Sequence, residues 1–205
     1  MFYKEYGRTG KKVSFIGFGG MRFPKNDNGY DYDYCAKMIH EASRLGVNYF
    51  DTAPFYNDDK SEEIFGHAFK NMPNDFYVST KCAAWKGSDL RSSLEKSLKR
   101  LNVEKINFFH IWCVMNMDDY EKRMAPGGPY EELQKAKTEG LVDHICISTH
   151  CTGDEIAKIA HQRKFDGILL GYNVLNYKYR QAGIKAAFET ETAVVTMNPL
   201  GGGLI

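Results

Sequence analysis

Short apolar runs alternate with amphipathic segments along almost the whole chain. The runs are spaced at intervals of about 30 residues, which is typical of repeated strand–helix units in an α/β barrel. This alternation predicts a parallel sheet whose strands are joined by crossover helices. Seven strands are expected, beginning near Val13, Val47, Phe76, Ile106, His144, Gly167 and Ala193.

The segments between the predicted strands carry helix signals. Gly46 ends the first apolar helical face, and Ser61, followed by two glutamates, opens the second helix. Ser88 is expected to cap a third helix, and Pro129 suits the first turn of a fourth. Two further helices are expected over 154–162 and 179–190, whereas 113–128 is predicted to be a polar loop.

The N-terminal residues predict a hairpin, and the C-terminal residues end before an eighth strand. Residues 3–12 carry a Gly-Arg-Thr-Gly turn between polar arms, which predicts a hairpin. A closed barrel of this type needs eight strands, and seven would leave two unpaired edges. We therefore expect residues 1–205 to be one barrel domain of a longer chain, ending at Leu204 and Ile205 after strand seven. A naturally short chain, closed by rearrangement or by a partner, is the alternative.

Composition narrows the functional classes. The 205 residues are 43% hydrophobic and carry a net charge of +1, so there is no electrostatic case for binding nucleic acid or a membrane surface. The N-terminal residues lack the apolar run of a signal peptide, and no stretch approaches the roughly 20 apolar residues of a membrane span. A cytoplasmic protein is expected.

The five cysteines are odd in number and never form a Cys-x-x-Cys pair, which argues against a secreted disulfide framework. Three of them follow strand ends together with a histidine and could converge on a metal or redox site. Their spacing matches no standard zinc or cluster motif, so inert thiols are the favoured interpretation. The residues concerned are Cys82, Cys113, Cys151 and His150.

Four proton-handling side chains lie at or near the ends of three successive predicted strands. Asp51 and Tyr56 follow the second strand, Lys81 ends the third, and His110 lies in the fourth. Barrel active sites form at such strand ends, so the four side chains are expected to meet. Each alone has a structural explanation, but together they suit carbonyl reduction. Tyr56 would be the general acid, Lys81 would lower its pKa, Asp51 would hold the lysine, and His110 would orient the carbonyl.

Five motifs extend this pattern over nearly all of the chain: Gly17-Phe18-Gly19-Gly20-Met21, Asp51-Thr52-Ala53 with Tyr56, Ser79-Thr80-Lys81, the strand bearing His110, and Asn198-Pro199-Leu200-Gly201-Gly202-Gly203. In these motifs the chain resembles the aldo-keto reductase superfamily, in particular its bacterial members. The resemblance implies a TIM (β/α)8-type barrel with an N-terminal hairpin across its floor. It also implies NADP-dependent reduction of a small-molecule aldehyde or ketone.

The resemblance also suggests cofactor contacts. Ser148 would bind the nicotinamide carboxamide, with Thr149 where an asparagine is usual, and Met197 would cover the nicotinamide ring. Gly20 and Met21 belong to the early motif and complete the predicted cofactor set. NADPH is the expected cofactor, and NADH is the alternative.

The sequence departs from the family pattern in ways that limit the inference about cofactor binding. Leu169 stands where a glutamine is common, and the segment with which the family grips the adenosine phosphates is not among these residues. Some relatives add a C-terminal iron–sulfur domain, so a cluster is expected only in a longer parent chain. A non-catalytic barrel that senses a nucleotide or binds a partner protein is the rival function.

Overall fold

The computed structural model describes residues 1–203, so Leu204 and Ile205, predicted to end the loop after the seventh strand, lie outside the described residues. The chain begins with an antiparallel hairpin of β1 (Tyr3–Glu5) and β2 (Lys12–Ser14). A short 3-10 turn over Gly7–Thr9 joins its strands. The predicted hairpin is confirmed.

Seven parallel strands follow in a single sheet, and their order in the sheet is their order in the chain. The α/β prediction with seven barrel strands is confirmed. Among residues 1–203 the first and last strands of this sheet each have one neighbour. The strands are β3 (Phe18–Gly19), β4 (Tyr49–Asp51), β5 (Tyr77–Cys82), β6 (Ile106–Val114), β7 (Val142–Thr149), β8 (Gly167–Gly171) and β9 (Ala193–Met197).

The predicted start of the first barrel strand near Val13 is wrong. Val13 lies in β2, where it pairs with Lys4 across the hairpin. The turn is closed by Gly10, whose φ of 69° is readily adopted by glycine. The apolar run therefore spans two elements, and the barrel strand begins only at Phe18.

Within the described residues seven helices pack on the sheet: α1 (Tyr32–Arg44), α2 (Ser61–Phe69), α3 (Gly87–Leu101), α4 (Met117–Met124), α5 (Pro129–Thr138), α6 (Gly153–His161) and α7 (Tyr177–Glu189). Six of them match the predicted helices. No helix among residues 1–203 has the length and apolar character needed to cross a membrane.

Two local predictions fail. The segment 113–128 is not all loop, because the Asn116 side chain accepts a hydrogen bond from the amide of Asp119 at 2.9 Å and so caps α4. Ser88 does not cap α3, which begins one residue earlier at Gly87. A Cβ at Gly87 would lie 2.9 Å from the carbonyl oxygen of Gly127, so close packing on that turn requires glycine there.

Side chains alternate between the two faces of the sheet, which places the core in two layers. Phe50, Phe109 and Ile147 point outward into the layer beneath the helices. Phe108 points inward and meets Tyr6 of the hairpin, with 4.1 Å between ring centroids. The hairpin therefore fills the inner face near the amino ends of the strands, as the resemblance implies, and leaves their carboxyl ends for the site.

Candidate active site

Three of the four predicted proton-handling residues lie on adjacent strands with their side chains on the inner face. Asp51 of β4 is in register with Ser79 of β5, and Lys81 of β5 is in register with His110 of β6. Ser79 and Lys81 are two residues apart, so both project to the same side of the sheet. The parallel register thus brings together the acid, the cation and the imidazole that the sequence predicts.

Lys81 and Asp51 form an ion pair with 2.6 Å between Nζ and Oδ2. The side chain of Lys81 is 1% exposed and that of Asp51 is 19% exposed. A buried ammonium group needs a negatively charged partner, because nothing else offsets the free-energy cost of removing it from water. Asp51 supplies that partner and holds the lysine side chain in place.

Ser79 is a site residue that the sequence analysis missed. Its Oγ donates to Oδ1 of Asp51 at 2.8 Å and lies 3.1 Å from Nε2 of His110. A serine hydroxyl has one proton, which Ser79 uses in its hydrogen bond to Asp51, so Nε2 of His110 must be the donor to Ser79. We therefore assign the proton of neutral His110 to Nε2. The signal in the sequence is the position of Ser79, two residues before Lys81.

His110 is fully buried, and its pKa is lowered from the ordinary 6.5 to about 4, with burial as the largest cause. The charge of Lys81 contributes to this lowering, while the Asp51 carboxylate opposes it. The imidazole is consequently neutral at neutral pH. It can donate a hydrogen bond without adding a second positive charge beside Lys81.

Tyr56 lies in the loop after β4, with its ring 5.3 Å from Nζ of Lys81. Burial raises the pKa of the phenol above its ordinary value, and the nearby Asp51 and Cys113 act in the same direction. The net shift is therefore opposite to the lowering expected from Lys81. The environment keeps Tyr56 in its protonated form.

The Tyr56 loop has an unusual backbone that is fastened to the segment after β3. Phe55, Asn57, Asp58 and Asp59 all have positive φ, between 52° and 72°. The side chain of Asn57 donates to the carbonyl oxygen of Gly20 and accepts from the amide of Phe23 at 3.2 Å. These bonds compensate the cost of left-handed conformations at residues other than glycine.

Gly20 packs beneath the same loop and lines no open space. Its amide donates to the carbonyl oxygen of Asp51 at 2.8 Å. A Cβ on Gly20 would lie 2.2 Å from the ring of Phe65 and 2.6 Å from Oγ of Ser61, so glycine is needed for α2 to approach. The neighbouring Met21 is exposed.

The other predicted cofactor residues lie at the carboxyl ends of β7 and β9. Ser148 is buried and two residues beyond the inward-facing Cys146, so its side chain shares the inner face. The hydroxyl of Thr149 is engaged within the protein, since it donates to the carbonyl oxygen of Val114 at 2.9 Å. Met197 is the last residue of β9 and is partly exposed.

The structure does not support a metal centre at the thiols. Within residues 1–203 no three His, Cys, Asp or Glu side chains are grouped so that they could hold a metal ion. All five cysteines are free. Cys151 Sγ points at the carbonyl oxygen of Val114, 3.7 Å away, and Cys113 Sγ lies 3.6 Å from the sulfur of Met115. These contacts are those of packed thiols.

The sequence matches the model of the aldo/keto reductase family over residues 15–205. L-galactose dehydrogenase of Arabidopsis thaliana is 33% identical over 156 residues, which are 71% of this chain and 47% of that protein. An uncharacterised oxidoreductase of Bacillus subtilis is 23% identical over 98% of this chain and 66% of its own length. The NADH-specific methylglyoxal reductase of Escherichia coli is 26% identical over 97% of this chain and 67% of its own length. The chain thus spans between about half and two thirds of the length of these relatives.

Solved structures share the fold. An aldo-keto reductase from Bacillus halodurans superposes with a TM-score of 0.83 at 22% identity, covering 100% of this chain and 68% of the other. An aldo-keto reductase from Pseudomonas aeruginosa superposes with a TM-score of 0.78 at 24% identity, covering 95% of this chain and 76% of the other. At such identities the likeness concerns the fold alone. It agrees with the prediction of a TIM-barrel-type sheet.

Proposed function

The chain belongs to the aldo/keto reductase family, and on that premise we propose that its site reduces aldehydes and ketones to alcohols with a nicotinamide cofactor. The observation that carries the proposal is the buried Lys81–Asp51 pair beside the ring of Tyr56, joined through Ser79 to His110. We propose further that residues 1–205 form a single domain.

Tyr56 is the proposed general acid. A proton donor must hold its proton at the working pH, and a phenol with a raised pKa does so. The shift by itself makes the phenol a weaker acid, so proton transfer depends on stabilisation of the phenolate by Lys81. As the carbonyl carbon is reduced, negative charge develops on the oxygen, and the phenol gives up its proton to it. The ammonium of Lys81 lies next to the resulting phenolate and stabilises it. Asp51 keeps the ammonium in position for that moment.

His110 is the proposed orienting donor. Its pKa of about 4 leaves the ring neutral, so it does not compete with Tyr56 as the acid. Its one N–H, on Nε2, bonds to Ser79 in the structure and would turn to the carbonyl oxygen when a substrate is bound. Ser79 fixes the tautomer that places the proton on Nε2. Positioning and electrostatics of this kind are what the protein contributes to a cofactor-dependent reaction.

The residues at the carboxyl ends of β7 and β9 fit a nicotinamide. The buried hydroxyl of Ser148 is available to the carboxamide, and the thioether of Met197 can cover one face of the ring. When bound, NADPH supplies the hydride, and NADH is the alternative. Of the early motif, the exposed Met21 is the proposed cofactor contact, while Gly20 packs against α2 and supports the Tyr56 loop. Thr149 holds β6 against β7.

Nicotinamide fluorescence and absorbance test the proposal together. The expected result is saturable binding of NADPH or NADH, followed by carbonyl-dependent loss of the reduced cofactor. A Ser148→Ala variant should weaken binding, with Ser97→Ala as the control, because Ser97 is also buried but lies in α3. Binding without turnover of any carbonyl compound would favour the rival, a nucleotide-sensing barrel.

A further inference from the structure

An aromatic wall stands beside Tyr56 at the mouth of the site. Trp112 meets the Tyr56 ring edge-on, with 5.7 Å between centroids, and Phe55 stacks on Trp112 at 6.3 Å. Trp112 is two residues beyond His110 in β6, so both side chains face inward. Phe55 and Trp112 together are called the aromatic wall below.

The backbone that carries Trp112 is irregular and needs external support. The register between β6 and β7 shifts between Ile111 and Val114, and Cys113 has a φ of 62°. Positive φ at a residue other than glycine is unfavourable unless the surroundings enforce it. The sheet alone therefore does not fix the direction of Trp112.

Arg123 of α4 contacts both the irregular end of β6 and the loop after β5. Its Nη1 donates to the carbonyl oxygen of Trp112 at 2.9 Å, and its guanidinium lies 4.5 Å from the ring centroid of Trp85 in the loop after β5. Its Nε lies 2.5 Å from Oδ1 of Asp119, and the Arg123 side chain is only 4% exposed. Asp119 in turn accepts from the amide of Met115 through Oδ2 at 3.0 Å.

We propose that Arg123 is a positioning residue that ties the Trp85 loop to the irregular Trp112 segment and thereby fixes the aromatic wall beside Tyr56. The planar guanidinium contacts three groups at once: the carboxylate of Asp119, the carbonyl oxygen of Trp112 and the ring of Trp85. This explains why the residue is an arginine. A lysine has one compact charge and cannot bond to Asp119 and Trp112 while covering Trp85. The pair is buried, so loss of Arg123 leaves the Asp119 carboxylate uncompensated.

The wall also indicates a substrate class, an inference that rests on the proposed function. Phe55 is exposed to 72% and Trp112 is partly exposed, so both side chains of the wall offer apolar surface beside Tyr56. Flat apolar surface beside the proton donor favours a carbonyl compound with an aromatic or other planar apolar substituent.

Intrinsic fluorescence reports directly on the surroundings of Trp85 and Trp112, because they are the two tryptophans of the chain. The experiment compares acrylamide quenching in wild type, Arg123→Met and Arg123→Lys. Arg91→Met is the matched control, since Arg91 of α3 is ion-paired at 2.6 Å with Glu132 and with Glu139 rather than with Asp119. Circular dichroism establishes that each variant is folded.

The quenching constant should rise in Arg123→Met, rise less in Arg123→Lys, and stay at the wild-type value in Arg91→Met. Unchanged quenching in both Arg123 variants would overturn the positioning role. So would an equal rise in Arg91→Met, because the effect would then be general loosening. If Arg123→Met does not fold, the lysine variant alone decides.

Turnover separates the substrate inference from the proposed function. With benzaldehyde, KM should rise roughly tenfold in Arg123→Lys while kcat changes by less than about threefold, since uniform binding is lost. With glyceraldehyde, which is small and hydrophilic, KM should not change. Equal effects on both substrates would overturn the substrate class. If wild type reduces neither compound, the proposed function fails, and quenching still decides the role of Arg123.

Discussion

Lys81 and His110 are register partners on neighbouring strands, yet each reaches Asp51 by a different route. Lys81 bonds to one carboxylate oxygen directly at 2.6 Å. His110 reaches the other oxygen through the hydroxyl of Ser79, by contacts of 3.1 and 2.8 Å. Asp51 is therefore the centre of the network, and one carboxylate sets both the ammonium position and the imidazole tautomer.

Removing one or the other member of the Asp51–Lys81 pair should reduce stability by different amounts. Asp51→Asn leaves a buried ammonium without a counter-charge, which should reduce the free energy of unfolding by about 3 to 5 kcal/mol. Lys81→Met should cost less, because Asp51 is partly exposed and keeps its bond from Ser79. Urea denaturation measures both values. Equal losses, or a larger loss in Lys81→Met, would contradict the burial argument.

Removal of the Ser79 hydroxyl should lower the turnover number. Ser79→Ala removes the acceptor for Nε2 of His110 and should lower kcat by roughly tenfold without changing cofactor affinity. Thr80→Val is the matched control, because its hydroxyl bonds outward to Glu62 at 2.8 Å. The control should lose stability and keep its kcat. If both variants keep full kcat, the link between Ser79 and His110 has no catalytic role.

His110 should make stability depend on pH. Its folded pKa of about 4 lies below the ordinary 6.5, so the unfolded chain binds the proton first as pH falls. The contribution to stability is complete above the unfolded pKa and is lost as pH falls towards the folded value. Between about pH 7 and about pH 5 the loss should be about 2 kcal/mol.

Comparison with His110→Asn isolates that contribution. The free energy of unfolding is measured at both pH values in each protein, and the variant should show a pH dependence smaller by the stated amount. The same pH dependence in wild type and variant would mean that other groups are responsible.

Two adjacent glycines give a test of packing at the base of the Tyr56 loop. Gly20→Ala places a methyl group against Phe65 and Ser61, and overpacking of this kind costs about 1 to 3 kcal/mol. Gly19→Ala is the matched control, because a Cβ there has no neighbour within 4 Å. Thermal unfolding should separate the two variants. A Gly20→Ala protein as stable as the Gly19→Ala protein would refute the packing argument.

The sequence predicts the strands and the proton-handling residues because both depend on local patterns. Asp51, Lys81 and His110 end or occupy apolar runs, and parallel register alone brings their side chains together. Helix α4 escaped prediction because its segment is polar and its stability depends on the buried pair of Arg123 with Asp119.

Properties that depend on surroundings could not be predicted from the sequence. Ser79 is an ordinary strand residue until its distances to Asp51 and His110 are known. The direction of the Tyr56 pKa shift depends on burial and on the nearby Asp51 carboxylate, and neither effect is visible in a motif. The sequence motifs therefore identify the residues of the site, whereas their hydrogen bonds and pKa shifts depend on the folded surroundings.

The most direct measurement is cofactor binding and carbonyl turnover in wild type and Tyr56→Phe, made on the same preparations. The variant removes one hydroxyl and keeps the ring next to Lys81 and Trp112. We predict unchanged affinity for the reduced nicotinamide cofactor and a fall in kcat of about 10² to 10⁴, as expected for loss of a general acid. A Tyr56→Phe protein that binds the cofactor and turns over carbonyl compounds at the wild-type rate would contradict the account.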